Sequence, residues 1–130
     1  MHKRELFLNA KGFTLVEIIA VLVILSILAA VVIPRYVELE ESAIKKGVDT
    51  VLSEINAREN LIWADCKIST SGFVSDAKIF DKINYNIDPS YAWQSGNPLI
   101  TGGTIKFKDE FFALSRRSSS VQKAAVWKLK

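Results

Sequence analysis

From Phe13 to Ile33 the chain reads FTLVEIIAVLVILSILAAVVI, with no Lys, Arg, Asp or His and one acid, Glu17. As a helix this run spans roughly 31 Å at about 1.5 Å per residue, the thickness of a hydrocarbon core. It exceeds the ~7–15 apolar residues of a secretory signal. A short polar leader precedes it, with Lys3, Arg4 and Lys11 against Glu5. Basic residues on that flank hold the N-terminus in the cytoplasm. The pattern predicts a single-pass anchor in the inner membrane, with the rest of the chain outside.

After Pro34 the apolar positions become periodic. Val37, Ile44, Val48, Val51, Ile55 and Ile62 are spaced by 7, 4, 3, 4 and 7. That is one stripe of an amphipathic helix. Pro34 removes a backbone donor and is expected to kink or loosen the helix, and Gly47 is a second weak point. A helix from Phe13 to about Trp63 is too long to lie inside a globule of this size, so its first half needs a membrane or other copies of itself.

Beyond Trp63 the sequence reads as a small head. Ser69-Thr70-Ser71-Gly72 breaks the helix, and Ser75 can cap a short one beginning at Asp76, with Ile79, Phe80 and Ile83 on one side. Residues 86–103 carry a run of turn signals and read as an irregular exposed loop. Within it, Tyr91 and Trp93 are expected to pack onto the sheet. Three strands follow, Thr104–Lys108, Phe111–Arg116 and Val121–Lys130, the first with Ile105 and Phe107 inward and Lys106 and Lys108 outward. A tight turn is expected at Asp109-Glu110. A meander with one greasy side must be covered, and the amphipathic helix is the natural cover. The expected class is therefore α+β: a long N-terminal α-helix, half transmembrane and half amphipathic, packed on a small antiparallel sheet. The expected divisions are a leader at 1–12, a membrane helix at 13–33, the amphipathic half at 34–63 and the head at 64–130.

Composition narrows the chemistry. The 130 residues carry a formal +3, but the leader supplies two of those charges. Residues 13–63 sum to −3 (four bases, seven acids), 64–104 to −1 and 105–130 to +5 (seven bases, two acids). The basic end could meet an acidic surface, the acidic helix of another subunit, or nucleic acid. Alternating Lys on a strand fits a wet sheet face. With no groove-reading motif, nucleic acid is not expected among the partners. Cys66 is the only cysteine and His2 the only histidine. This excludes an internal disulfide and a His-rich metal site. It also leaves Cys66 without a helper for nucleophilic work. No phosphate-cradling loop is present, so no enzymatic activity and no cofactor are expected.

Glu17 is the anomaly, an acid in an apolar run. A charged residue at such a position marks function and calls for a partner. Cutting the chain after Gly12 would create one, the α-amino group of Phe13 on a neighbouring copy. Here the residues carry a resemblance. KGFTLVE, the apolar stretch and Pro34 together resemble the prepilin signature of type IV pilins and pseudopilins, over about residues 11–36. The resemblance implies a pilin-like fold, cleavage between Gly12 and Phe13 by a membrane prepilin peptidase, and N-methylation of Phe13. It also implies docking of subunits through Glu17, with Thr14 at the family's frequent second position, and a helix kink at Pro34.

Two departures stand beside it. Many type IV pilins close a C-terminal loop with a cysteine pair, which this chain lacks. Major secretion pseudopilins often bind calcium near the C-terminus. Here Asn84, Asn86 and Asp88 alternate like calcium ligands, but Pro89 and Ser95 stand where an EF-hand needs Gly and Glu. Turn chemistry is the better reading, and no metal is expected. The sequence thus supports a structural subunit of a pilus or pilus-like filament, assembled from the inner membrane by an ATP-driven machine. The alternatives are a type II secretion pseudopilin, a minor pilin, or an anchored adhesion or DNA-binding module. The expected location is the inner membrane as precursor, then a cell-surface pilus or periplasmic pseudopilus.

Overall fold

A computed structural model describes residues 12–130; the leader charges Lys3, Arg4, Glu5 and Lys11 lie outside the described residues. Helix α1 runs Leu15–Ile68, followed by α2 (Asp76–Lys82), β1 (Tyr91–Trp93), β2 (Gly102–Phe107), β3 (Glu110–Arg117) and β4 (Val126–Leu129). The strands form one antiparallel sheet in the order β1-β2-β3-β4. The long N-terminal helix with a small antiparallel sheet is the α+β, pilin-like architecture the resemblance implied. The chain divides into two compact units, the first ending at Glu40 and the second spanning Glu41–Lys130.

In the first unit every side chain from Leu15 to Ile33 is exposed. An 18-residue stretch of α1 reaches a mean hydropathy of 3.1 with none of it buried, long and apolar enough to cross a membrane. The one hydroxyl in its middle is satisfied locally, since Ser26 Oγ donates to Leu22 O at 2.7 Å. Helical conformation continues through Pro34.

The second unit has its own core. The expected stripe turns inward at Ile44, Val48, Val51 and Ile55, whereas Val37, in the first unit, is exposed. Val48, Val51 and Ile55 meet Ile105 and Leu114 of the sheet, Trp127 of β4, and Ile79, Ile83 and Tyr85 from α2 and the segment after it. Continuing the stripe, the next buried positions are Glu59 and Cys66. The helix outlasts the expected end at Trp63 because Cys66 still has a core to enter. It then stops in a turn where the Gly72 N–H donates to Ser69 O at 2.9 Å and Gly72 adopts a left-handed φ of 63°.

The sheet has four strands where three were expected. Residues 91–93 pair with Phe107, Lys106 and Ile105, so Tyr91 and Trp93 belong to the sheet itself. Three residues between Pro89 and Gly96 are too few to show a period. The β2–β3 turn is Lys108–Asp109, one residue earlier than expected, because Phe107 pairs with Glu110 and Lys108 takes the left-handed step (φ 53°). Residues 121–125 precede β4 rather than forming part of it.

Gly47 is a packing slot rather than a weak point. A Cβ there would lie 2.9 Å from the Tyr91 hydroxyl and 3.1 Å from the Phe107 ring. Those two rings stack at 4.4 Å over the bare helix backbone.

Candidate functional site

Two assemblies of polar groups stand out, one in each unit. At the N-terminus, Gly12 has open space around its α-carbon and Phe13 is 84% exposed, so the expected scissile bond is accessible. Thr14 and Glu17 are brought together. The Thr14 backbone N–H and hydroxyl both donate to Glu17 Oε2, at 2.7 and 2.9 Å, and the Glu17 N–H donates to Thr14 Oγ1 at 3.2 Å. This is a reciprocal capping box, Thr-x-x-Glu, that satisfies orphan donors at the start of α1. The carboxylate also sits at the positive end of the helix dipole. The other oxygen, Glu17 Oε1, accepts no hydrogen bond among the described residues. One carboxylate oxygen thus orders the helix start, and the exposed Glu17 shares an open surface with Ile18, Val21 and Leu22. Pro34 is distant from this pair in sequence, and the pair does not involve it.

In the second unit the core is built around a buried ion network that the sequence did not reveal. Glu59 is fully buried and Arg116 is 6% exposed. Arg116 Nε and Nη2 donate to the two oxygens of Glu59 at 2.6 and 3.2 Å. Its Nη1 and Nη2 donate to Asp76 at 2.7 and 2.8 Å, and Nη1 also reaches Ile100 O at 3.2 Å. All five guanidinium N–H groups are therefore used. Trp127 Nε1 and Tyr85 Oη complete Glu59 at 2.9 and 3.2 Å, and the Ser119 N–H and hydroxyl complete Asp76 at 2.8 and 2.5 Å.

The electrostatics follow from this geometry. Burial pushes the Asp76 carboxyl up, but the hydrogen bonds from Arg116 and Ser119 outweigh it and hold the group at about 2. Burial acts against the Arg116 cation, yet its two carboxylate partners raise its affinity for the proton further. Burial and the Glu59 charge push the Tyr85 phenol well above its usual range. The network ties α1, α2, β3 and β4 to the loops at 83–90, 99–101 and 118–120. With every guanidinium N–H engaged by groups from these elements, the network holds them together.

Other side chains of α1 fix the irregular segments. Asn56 pairs both ways with the Trp127 backbone, at 3.1 and 2.7 Å. Arg58 donates to Asn84 O and Asn86 O at 2.5 and 2.8 Å, and Trp63 Nε1 to Ser120 O at 2.8 Å. Asn84 Oδ1 accepts from the Asn86 N–H and Asp88 Oδ1 from the Ser90 N–H, each at 2.8 Å. These oxygens are engaged as turn formers. Cys66 is buried, with Lys82 Nζ at 3.9 Å from its sulfur.

The network carried two faint sequence signals. Glu59 follows Ile55 by four residues on the apolar stripe, and Arg116 follows Phe112 and Leu114 on the inward side of a strand. Two opposite charges on the two faces that must meet are a readable pair.

Comparison with known proteins bears on the N-terminal site. Residues 8–33 match the prokaryotic N-terminal methylation motif. Over 104 residues the chain is 40% identical to the type IV narrow pilus major component PilA5 of Thermus thermophilus, covering 80% of this chain and 86% of that one. It is also 35% identical, over 51 residues, to a ComG operon protein 3 homolog of Bacillus licheniformis, covering 39% of this chain and 53% of that one. No solved structure gives a significant match.

Proposed function

The chain belongs to the type IV pilin family, and we propose that it is made as a membrane precursor, cut between Gly12 and Phe13, methylated at Phe13 and assembled as a structural subunit of a pilus. Residues 13–33 hold the monomer in the bilayer and then exchange lipid contacts for helix contacts in the filament. The observation that carries this reading is the Thr14–Glu17 capping box. Its hydroxyl and amide hold one carboxylate oxygen, leaving Oε1 to receive the Phe13 amine of a neighbouring subunit. In a low-dielectric surround that charge-assisted bond is strong and directional. Pro34 loosens the helix between the buried stem and the head.

The partners on this reading are further filament subunits, a prepilin peptidase and an inner-membrane assembly machine that supplies the work. The protein is a structural element rather than an enzyme.

Intact mass and N-terminal sequencing of protein from membrane and sheared-filament fractions test it together. The expected result is loss of residues 1–12, a methyl group on Phe13 and presence in the sheared filaments. An uncut N-terminus overturns the reading. A processed chain retained in the envelope reassigns it to a pseudopilus.

A further inference from the structure

Lys78 and Lys82 lie four residues apart on α2, and both line a cavity of about 280 Å³. Cys66 near the end of α1, with Ser69 and Ser71 from the turn after it, supplies more of the wall. Val74 and Ser75 close it from the link into α2. The charge here is one-sided, because no acid among the described residues lines the cavity. Asp76 is committed to Arg116 and Ser119, and Asp81 lines a different cavity, with Asn84 and Asn97. Lys82 Nζ has the Cys66 sulfur at 3.9 Å, and Lys78 Nζ has no partner among the described residues. Like charges at this helical spacing repel. An anion held by both would remove that repulsion.

The hydroxyls add donors to the two ammonium groups. Ser69 has spent its proton on Cys66 O at 2.8 Å. Ser71 Oγ has no partner among the described residues. The Lys78 N–H donates to Ser75 Oγ at 3.3 Å, which leaves the Ser75 proton to give. This donor set defines the ligand. Two ammonium groups balance a dianion, and a phosphate monoester carries nearly two negative charges at pH 7 and three acceptor oxygens. A carboxylate or a phosphodiester has a single charge and would leave one ammonium unbalanced. Lysine suits phosphate because it binds as a point charge and needs no planar partner. The volume sits near the lower end of ligand pockets, about 300 Å³, and Val74 and Ile79 offer an organic group an apolar wall. Both lysines are exposed, so the cavity is reached directly from solvent.

We propose that this cavity between α1 and α2 binds a small phosphate monoester. Lys78 and Lys82 hold the phosphate oxygens, and Ser71 and Ser75 donate to them. A soluble ester and a phosphatidate headgroup both offer this chemistry. The inference is independent of the processing and assembly scheme and is tested on the single subunit.

The test is phosphorus NMR of glycerol phosphate with the full chain in dodecyl maltoside at fixed ionic strength. The protein–detergent particle tumbles slowly, so exchange with it broadens the resonance even when binding is weak. The expected result is broadening that inorganic phosphate reverses and acetate at the same concentration does not. Lys78→Gln with Lys82→Gln should lower affinity roughly tenfold, and Ser71→Ala several-fold. Lys45→Gln with Lys46→Gln, exposed on α1, removes the same charge away from the cavity and should have little effect. Circular dichroism verifies that each variant is folded. Micelles doped with phosphatidate separate the two sources: displacement at lower concentration than inorganic phosphate assigns a headgroup, and weaker or no displacement a soluble ester. Four results overturn the proposal: no broadening beyond that of empty micelles, equal displacement by acetate, undiminished binding by the Lys78/Lys82 variant, and equal loss in the Lys45/Lys46 control.

Discussion

Arg116 on β3 grips Glu59 on α1 through two hydrogen bonds, 2.6 Å from Nε and 3.2 Å from Nη2, with both side chains sealed from water. A buried pair is stable only when every remaining donor and acceptor is satisfied. Here each is: no buried side-chain nitrogen or oxygen among the described residues lacks a partner. A small head without a disulfide is marginal on core area alone. The ion network supplies cohesion of another kind, tying the late strand β3 to α1 and α2.

Removing one partner should therefore cost far more than a surface change. Glu59→Leu leaves Arg116 buried with only Asp76 to balance it, and the expected loss is about 3–5 kcal/mol. Arg116→Leu should cost a similar amount. The double variant should cost less than the two combined, with a coupling of at least about 1 kcal/mol. Urea unfolding followed by tryptophan fluorescence measures this. A loss below about 1 kcal/mol for Glu59→Leu would show that the pair is not what holds the head.

Much of this architecture was readable in the sequence, and the parts that were not share a cause. The stripe Ile44, Val48, Val51 and Ile55 announced its buried face because a period of 3.6 needs only local information. Ile105 and Phe107 did the same with a period of two. Glu59 lies on that same stripe, but a charge on a periodic face reads as solvated unless its partner is known, and Arg116 is 57 residues away. Strand β1 has three residues, too short for any period. Gly47 looked like a flaw because its use depends on Tyr91 and Phe107, brought over it by the sheet. At the N-terminus, Thr14 and Glu17 were singled out, while their mutual hydrogen bonds emerged only in three dimensions.

Acid should weaken the head through Asp76. Its carboxyl is held at about 2, below the ordinary 3.8, chiefly by Arg116 and Ser119 acting against burial. A group whose pKa is lower in the folded state stabilises above its unfolded pKa and loses that contribution as pH falls through the folded value. The stabilisation, about 2 kcal/mol, is thus complete above about pH 4 and disappears towards pH 2. Asp76→Asn should lower stability at pH 7 and flatten its dependence between pH 4 and 2. An unchanged slope in that variant would assign the acid sensitivity elsewhere.

Gly47→Ala opposes two effects. Helix propensity favours Ala by about 1 kcal/mol, while overpacking typically costs about 1–3 kcal/mol. The added carbon would meet the Tyr91 hydroxyl at 2.9 Å and the Phe107 ring at 3.1 Å, and the stacked rings have little room to yield. Net destabilisation of about 1 kcal/mol is expected. Tyr91→Phe removes the nearer atom, so it should recover part of the loss when combined with Gly47→Ala. Thermal unfolding of the four proteins in this cycle decides the matter. A more stable Gly47→Ala would show that the sheet can slide away from the helix.

The Thr14–Glu17 box separates two roles that one acid could play. If Glu17 served only as a helix cap, then Thr14→Val and Glu17→Ala would both fray the start of α1 and differ little in assembly. If Oε1 receives a neighbour's amine while Thr14 fixes the carboxylate, the variants should form a series. Thr14→Ser keeps the hydroxyl and should assemble near the normal level. Thr14→Val leaves Glu17 Oε2 only the backbone N–H at 2.7 Å, which loosens the carboxylate and should reduce filaments several-fold. Glu17→Ala removes the acceptor and should nearly abolish incorporation. All three should still insert, because the apolar run is untouched. Immunoblots of sheared-filament and membrane fractions read both quantities from the same cells. Filaments of Glu17→Ala at the normal level would eliminate the pairing, and equal loss in Thr14→Ser and Thr14→Val would eliminate the positioning role of the hydroxyl.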